Sequence, residues 1–134
     1  MTYFLKFILL IHFICLIWFI LLQLNDPDAL IWIGIYGMAA LVPLLGLFNR
    51  YSKLIFWLAL LCCALAALIE AQGAYTYLQH RHEEALMQSM NPAKPYIEEA
   101  REFLGSLIAL GLVILSGLIA KRIKNRLPHH HNDK

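Results

Sequence analysis

Residues 24 to 32 read LNDPDALIW, from Leu24 to Trp32. They interrupt what would otherwise be one apolar stretch from Phe4 to Phe48. Two acids and a proline at that place read as a turn that folds the second apolar run back along the first. Each run is then long enough to cross a bilayer, since about 20 helical residues at 1.5 Å rise span about 30 Å of hydrocarbon. Outward from the turn the pattern repeats. Four spans are predicted, Phe4 to Leu24, Leu30 to Phe48, Leu54 to Leu78 and Phe103 to Ala120, with a polar loop at 79–102 and a basic tail at 121–134. A chain of 134 residues that is 60% hydrophobic and 15% charged, with a mean hydropathy of +0.63, cannot hide its apolar surface as a water-soluble domain. The expected fold is an all-α integral membrane four-helix bundle forming a single domain, residues 1–134.

The first span resembles a signal peptide in having Lys6 ahead of an apolar run. It lacks the small residues of a cleavage site, with no Ala, Gly or Ser before Ala29, so a retained helix is expected. Cys15, Cys62 and Cys63 all fall in apolar runs without metal-ligand spacing and read as small buried hydrophobes.

An even number of spans puts both termini and the link near Arg50 on one side. That side carries Lys6, Arg50, Lys53, Lys121, Arg122, Lys124, Arg126 and Lys134, and the other only Arg81, Lys94 and Arg101, which favours cytoplasmic termini. The basic tail suits either anionic headgroups or a plain stop-transfer anchor. Acids segregate oppositely: Asp26, Asp28, Glu83, Glu84, Glu98, Glu99 and Glu102 all belong to the outer side. Because acids contribute little to topology, this bias points to an outer-face role or to simple solvation.

Locally, LNDPD has the makings of a helix start. Asp26 can cap, Pro27 suits the first helical position, and Asp28 opposes the positive end of the dipole. Asp28, Trp32 and Tyr36 then follow at four-residue steps on one face. In the first span His12 and Gln23 share a face, where a histidine ordinarily bonds to a neighbouring helix. Glu70 is the costliest residue, a carboxylate inside hydrocarbon. It sits on a stripe of Ala59, Cys63, Ala66, Gly73 and Tyr77 that should face another helix. His80 and His82 are two apart and specify no third metal ligand, so a solvated helix extension is the plainer reading. Glu98, Arg101 and Glu102 share one side of the last helix, above Gly105, Ala109, Ser116 and Ala120. No phosphate loop, Ser/His/Asp pattern, CxxC or basic-aromatic nucleic-acid stretch occurs in the sequence.

LNDPDALIWIGIYG at 24–37, followed by KPYIEEAREFLGSLI at 94–108, resembles the transmembrane-protein-220 family of small four-helix membrane proteins, over essentially the whole chain. The resemblance singles out Asn25, Asp26, Pro27, Asp28, Trp32 and Tyr36, then Glu98, Glu99, Arg101, Glu102 and Gly105. It does not reach Glu70, His80 or His82. Ser106 departs from it, standing where the pattern has Leu directly after the glycine. It implies no particular activity.

Topology sets both motifs at one membrane level, on helices that pack about 8 to 10 Å apart. The expected site is an acidic outer cluster of Asn25, Asp26, Asp28, Glu98, Glu99, Glu102 and Glu70, beside Trp32 and Tyr36, with Arg101 paired to Asp26 or Asp28. The leading expectation is a structural or accessory membrane component locked by that arginine. The alternative is binding or transport of a small ligand or a hard divalent cation, with Asp26, Asp28, Glu99 and Glu102 as candidate metal ligands. An enzyme ranks third, because paired carboxylates without a nucleophile offer only acid–base chemistry. The expected partners are the lipid bilayer and either another membrane protein or a second copy, with no nucleic acid. The expected location is multi-pass in a bacterial inner or plasma membrane.

Overall fold

The computed structural model describes residues 1–126, and residues 127–134 of the expected basic tail lie outside them. Four helices follow in order, α1 Thr2–Leu22, α2 Ala29–Leu47, α3 Lys53–His80 and α4 Tyr96–Arg126. All four are long and apolar enough to cross a membrane, as the sequence led us to expect. The last two overrun their expected spans. At 31 residues α4 is about 46 Å long, well beyond the hydrocarbon core. Residues 96–102, at the end of the expected polar stretch, are its first two turns, so Glu98, Arg101 and Glu102 stand on the helix as their spacing predicted, and the loop shrinks to 81–95.

Three contacts set the helix register. Leu9, Gly46 and Ala120 meet at one level, His12 and Ser116 at the next, and Phe19, Tyr36 and Gly105 at a third. Thus α1 runs antiparallel to α2 and α4, and both described termini lie at one end, called here the Arg126 end. The opposite end holds the α1–α2 turn and the loop 81–95, and is called the Asp26 end. The most extensive packing is between α3 and α4, α2 touches all three other helices, and α1 does not meet α3.

Packing is small inside and large outside. On α3 the buried side is Ala59, Cys63, Ala66, Ala67 and Gly73, whereas Trp57, Leu61, Leu65 and Leu68 are exposed. In lipid, a leucine gains little by leaving the acyl chains, so association rests on close backbone approach and on polar contacts between helices. Buried Cys63 fits this role as a small apolar residue. His12 Nδ1 meets Ser116 Oγ at 2.9 Å across α1 and α4, the neighbour bond expected of a histidine there.

The α2–α3 turn has strong local causes. Arg50 N donates to Leu45 O at 2.8 Å and Asn49 N to Gly46 O at 3.0 Å, with Asn49 in the left-handed region at φ 61. Ser52 then caps α3 by accepting from Ile55 N at 3.4 Å. Within α2, the buried Pro43 removes the amide that would otherwise bond to Ala39.

The α1–α2 turn corrects the reading from sequence. Helix α2 starts at Ala29, with Asp28 in the capping position but making no side-chain cap. Asp26 and Pro27 stand outside the helix. The helix thus begins two residues later than expected, too far along for Asp26 to cap, and Asp28 has a competing donor: Trp32 Nε1 gives its hydrogen bond to Asp28 Oδ2 at 3.0 Å, so that carboxylate is committed one turn down.

Candidate functional site

The two motifs meet through aromatic packing. Asp28 holds the Trp32 indole, Trp32 stacks on Tyr36 at 5.7 Å between ring centroids, and Phe19 of α1 meets the same tyrosine edge-on at 5.4 Å. Tyr36 is buried, and its hydroxyl lies over Gly105 of α4; a Cβ there would stand 2.5 Å from that oxygen. This explains why a Trp, a Tyr and a distant Gly belong to one pattern. The ring's reach sets the separation of α2 and α4, and the glycine makes room for its tip.

On α4, the acids diverge. Glu99 lies across Gly73 of α3, where any Cβ would collide with its side chain. Glu98, Arg101 and Glu102 face α1, α2 and the loop. The expected pair of Arg101 with Asp26 or Asp28 does not form. Arg101 Nη2 sits 3.3 Å from Glu98 Oε2 on its own helix, and Nη1 donates to the Gln88 carbonyl at 3.1 Å. A partner three residues earlier on the same helix costs less ordering than one on another element. Arg101 still acts on Asp26 through space. Burial pushes the Asp26 carboxyl up from its ordinary range, Asp28 pushes the same way, and Arg101 opposes both.

The loop is laced down around Glu84. Its carboxylate pairs with Lys94 and accepts from Gln88 Nε2 at 3.1 Å, while its carbonyl accepts from the Tyr77 hydroxyl at 3.1 Å. With Gln88 also held by Arg101, residues 86–90 are drawn over the end of the bundle.

Two cavities lie beneath this roof. The smaller, about 330 Å³, is bounded by Pro27, Asp28, Asn91, Pro92 and Glu99; the larger, about 510 Å³, by Phe19, Gln23, Asp26, Tyr36 and Arg101. Glu98 and Glu102 line both. Glu102 is only 9% exposed, and its carboxylate makes no hydrogen bond or ion pair among the described residues. The charges of Glu70, Asp28, Glu98 and Asp26 all reach it. Gln23 Oε1 is likewise buried without a partner. Ser106 turns inward to its own helix, donating to the Glu102 carbonyl at 2.8 Å, so this departure leaves the packing intact.

Residues 13–118 match the family described as Transmembrane family 220, helix. The chain belongs to that family. The match takes in both motifs, and no solved structure matches the chain. Within this Transmembrane family 220 protein, the two motif stretches come together around Glu102 and Tyr36.

Several expected site residues stand apart. Asn25 is exposed and lines neither cavity, and Glu70 is half-buried outside both, acting from α3 through its charge. Trp32 supports Tyr36 without lining a cavity. His80 Nδ1 meets the Thr76 carbonyl at 3.0 Å and its ring packs on Tyr96, while His82 Nε2 accepts from Arg81, so the two imidazoles have separate local partners. Among the described residues no three His, Cys, Asp or Glu side chains form a group that could hold a metal ion, the candidates Asp26, Asp28, Glu99 and Glu102 included. The sequence reading missed Leu86, Met87 and Met90, which help to line the larger cavity. Their signal was an apolar cluster, LMQSM, in an otherwise polar loop.

Proposed function

We propose that the protein holds a small ligand in the larger cavity at the Asp26 end. The observation that supports this most is Glu102, a residue nine-tenths buried whose carboxyl has no hydrogen bond or ion pair among the described residues and which lines a volume of about 510 Å³. A carboxyl so largely shielded from water and without a partner is favoured to take up either a proton or a partner. Arg101, the basic residue that lines the same cavity, is committed to Glu98 and Gln88. A ligand that gives Glu102 a hydrogen-bond or charge partner would favour the folded state, and the volume falls in the range of small-molecule sites, roughly 300–1,000 Å³. An organic ligand suits the site better than a divalent cation, which needs six or more oxygens converging on one point.

The distribution of Lys and Arg favours the Asp26 end on the non-cytoplasmic side of a plasma or bacterial inner membrane. A second reading, an accessory subunit that offers the laced loop to a protein partner, is supported by the Glu84, Lys94 and Arg101 contacts.

The test is a thermal melt in detergent with single-chain amphiphiles of matched length carrying cationic, neutral or anionic heads. A ligand for the folded state raises the midpoint with its concentration. If no member of the panel shifts the midpoint, the binding reading is wrong and the accessory reading gains.

A further inference from the structure

We infer that the ligand is a single-chain cationic amphiphile whose protonated amine sits at Glu102 and whose apolar chain leaves between α1 and α4 into the lipid; this rests on the binding reading above. The shape of the larger cavity supports the chain. Its wall between α1 and α4 is Leu22, Leu104 and Ile108, which are 56%, 44% and 52% exposed and so continue from the cavity onto the lipid-facing surface. These two helices touch less than any other contacting pair, so the mouth opens where packing is thinnest.

The polar lining supports the head. Apart from Arg101, Ser89 and the loop amides, it offers acceptors and negative charge: the Glu102 and Asp26 carboxylates and the Tyr36 hydroxyl oxygen. A primary ammonium brings three donors and no acceptor. The Tyr36 and Phe19 rings bordering the site add attraction for a cation. A phosphate-bearing head would meet Asp26, Glu98 and Glu102, with Arg101 already paired to Glu98 and Gln88. That charge balance selects a non-phosphorylated amine over a phospholipid.

The experiment measures the melting midpoint of the full chain in nanodiscs of a neutral lipid, with dodecylamine, dodecanol, dodecanoate and a lysophosphatidylethanolamine as separate probes. It uses wild type, Glu102→Gln and Ile108→Trp, the last filling the mouth from a lipid-facing position that tolerates bulk. Dodecylamine is expected to raise the wild-type midpoint and to bind about tenfold more weakly to Glu102→Gln, the loss of one charge-assisted hydrogen bond. It is expected to leave Ile108→Trp unshifted. Should Glu102→Gln not fold, Asp26→Asn serves in its place, with weaker amine binding expected. Equal or larger shifts from dodecanol, dodecanoate or the lysophospholipid would overturn the cationic assignment while leaving a ligand site standing. No shift from any probe removes the binding reading itself. A dodecylamine shift that is the same in all variants is a bilayer effect and also overturns the assignment.

Discussion

The two ends of this bundle are built on opposite rules. At the Arg126 end the helices touch through glycine and alanine: a Cβ on Gly46 would lie 2.6 Å from Leu9 Cδ1 and 2.9 Å from Ala120 Cβ, and one on Gly117 would strike the Phe56 ring. The turn there is closed by backbone bonds and the Ser52 cap on α3. At the Asp26 end, aromatic rings hold α2 and α4 apart, two cavities open, and polar side chains outnumber their partners. One end supplies the close packing that lipid-immersed helices need, which frees the other to keep a buried carboxyl incomplete.

Substitutions that break this contrast should rank accordingly. Gly46→Leu fills a site with no room and should cost about 3 kcal/mol, read from a denaturant titration in detergent. A cost under about 1 kcal/mol would mean that the Arg126 end is looser than described. Gly105→Ala meets only the Tyr36 hydroxyl at 2.5 Å, the ring carbon behind it being 3.6 Å away. It should cost about 1–2 kcal/mol, and Tyr36→Phe should restore most of it. Simple additivity in that cycle would show that the hydroxyl is not what the glycine accommodates.

Ser116→Ala removes the bond to His12 between the two ends and should cost about 0.6–1 kcal/mol. Lys94→Gln loosens the roof without touching the spans. Its global effect should be at most about 0.5 kcal/mol, while amide exchange over residues 84–94 quickens. The smallest effect concerns pH. Burial and Asp28 raise the Asp26 pKa in the fold, so folding takes up protons there. Stability from this group is present at acid pH and is lost as pH rises through the raised value. Asp26→Asn should flatten that part of a midpoint–pH curve, and an unchanged slope would assign the titration to another group.

The spans were legible in the sequence because the bilayer dictates length and apolarity independently of any partner. So was the inner stripe of α3, since Ala59, Cys63, Ala66 and Gly73 recur at helical steps and small residues are what a lipid-immersed interface requires. The cap on α2 was misread as Asp26 because LNDPD offers two acids at a possible start; the helix begins two residues later, at Ala29, where Asp28 is held by the Trp32 indole one turn away. Arg101 was misread for a related reason: its partners are Glu98 on the same turn and a loop carbonyl 13 residues earlier, and the second exists only once the loop has folded over. The cavity itself is a property of three helices and the loop together, so spacing within any one of them cannot reveal it. Only the apolar cluster in the loop hinted at it.

The tyrosine on the glycine also bears on how such a site can evolve. The calibre of the opening between α2 and α4 is written in two positions 69 residues apart in sequence, 36 and 105, rather than in the loop above. A lineage that gains a methyl group at 105 is expected to lose the oxygen at 36, and tracing that paired exchange among related chains would show selection acting on the width of an empty space.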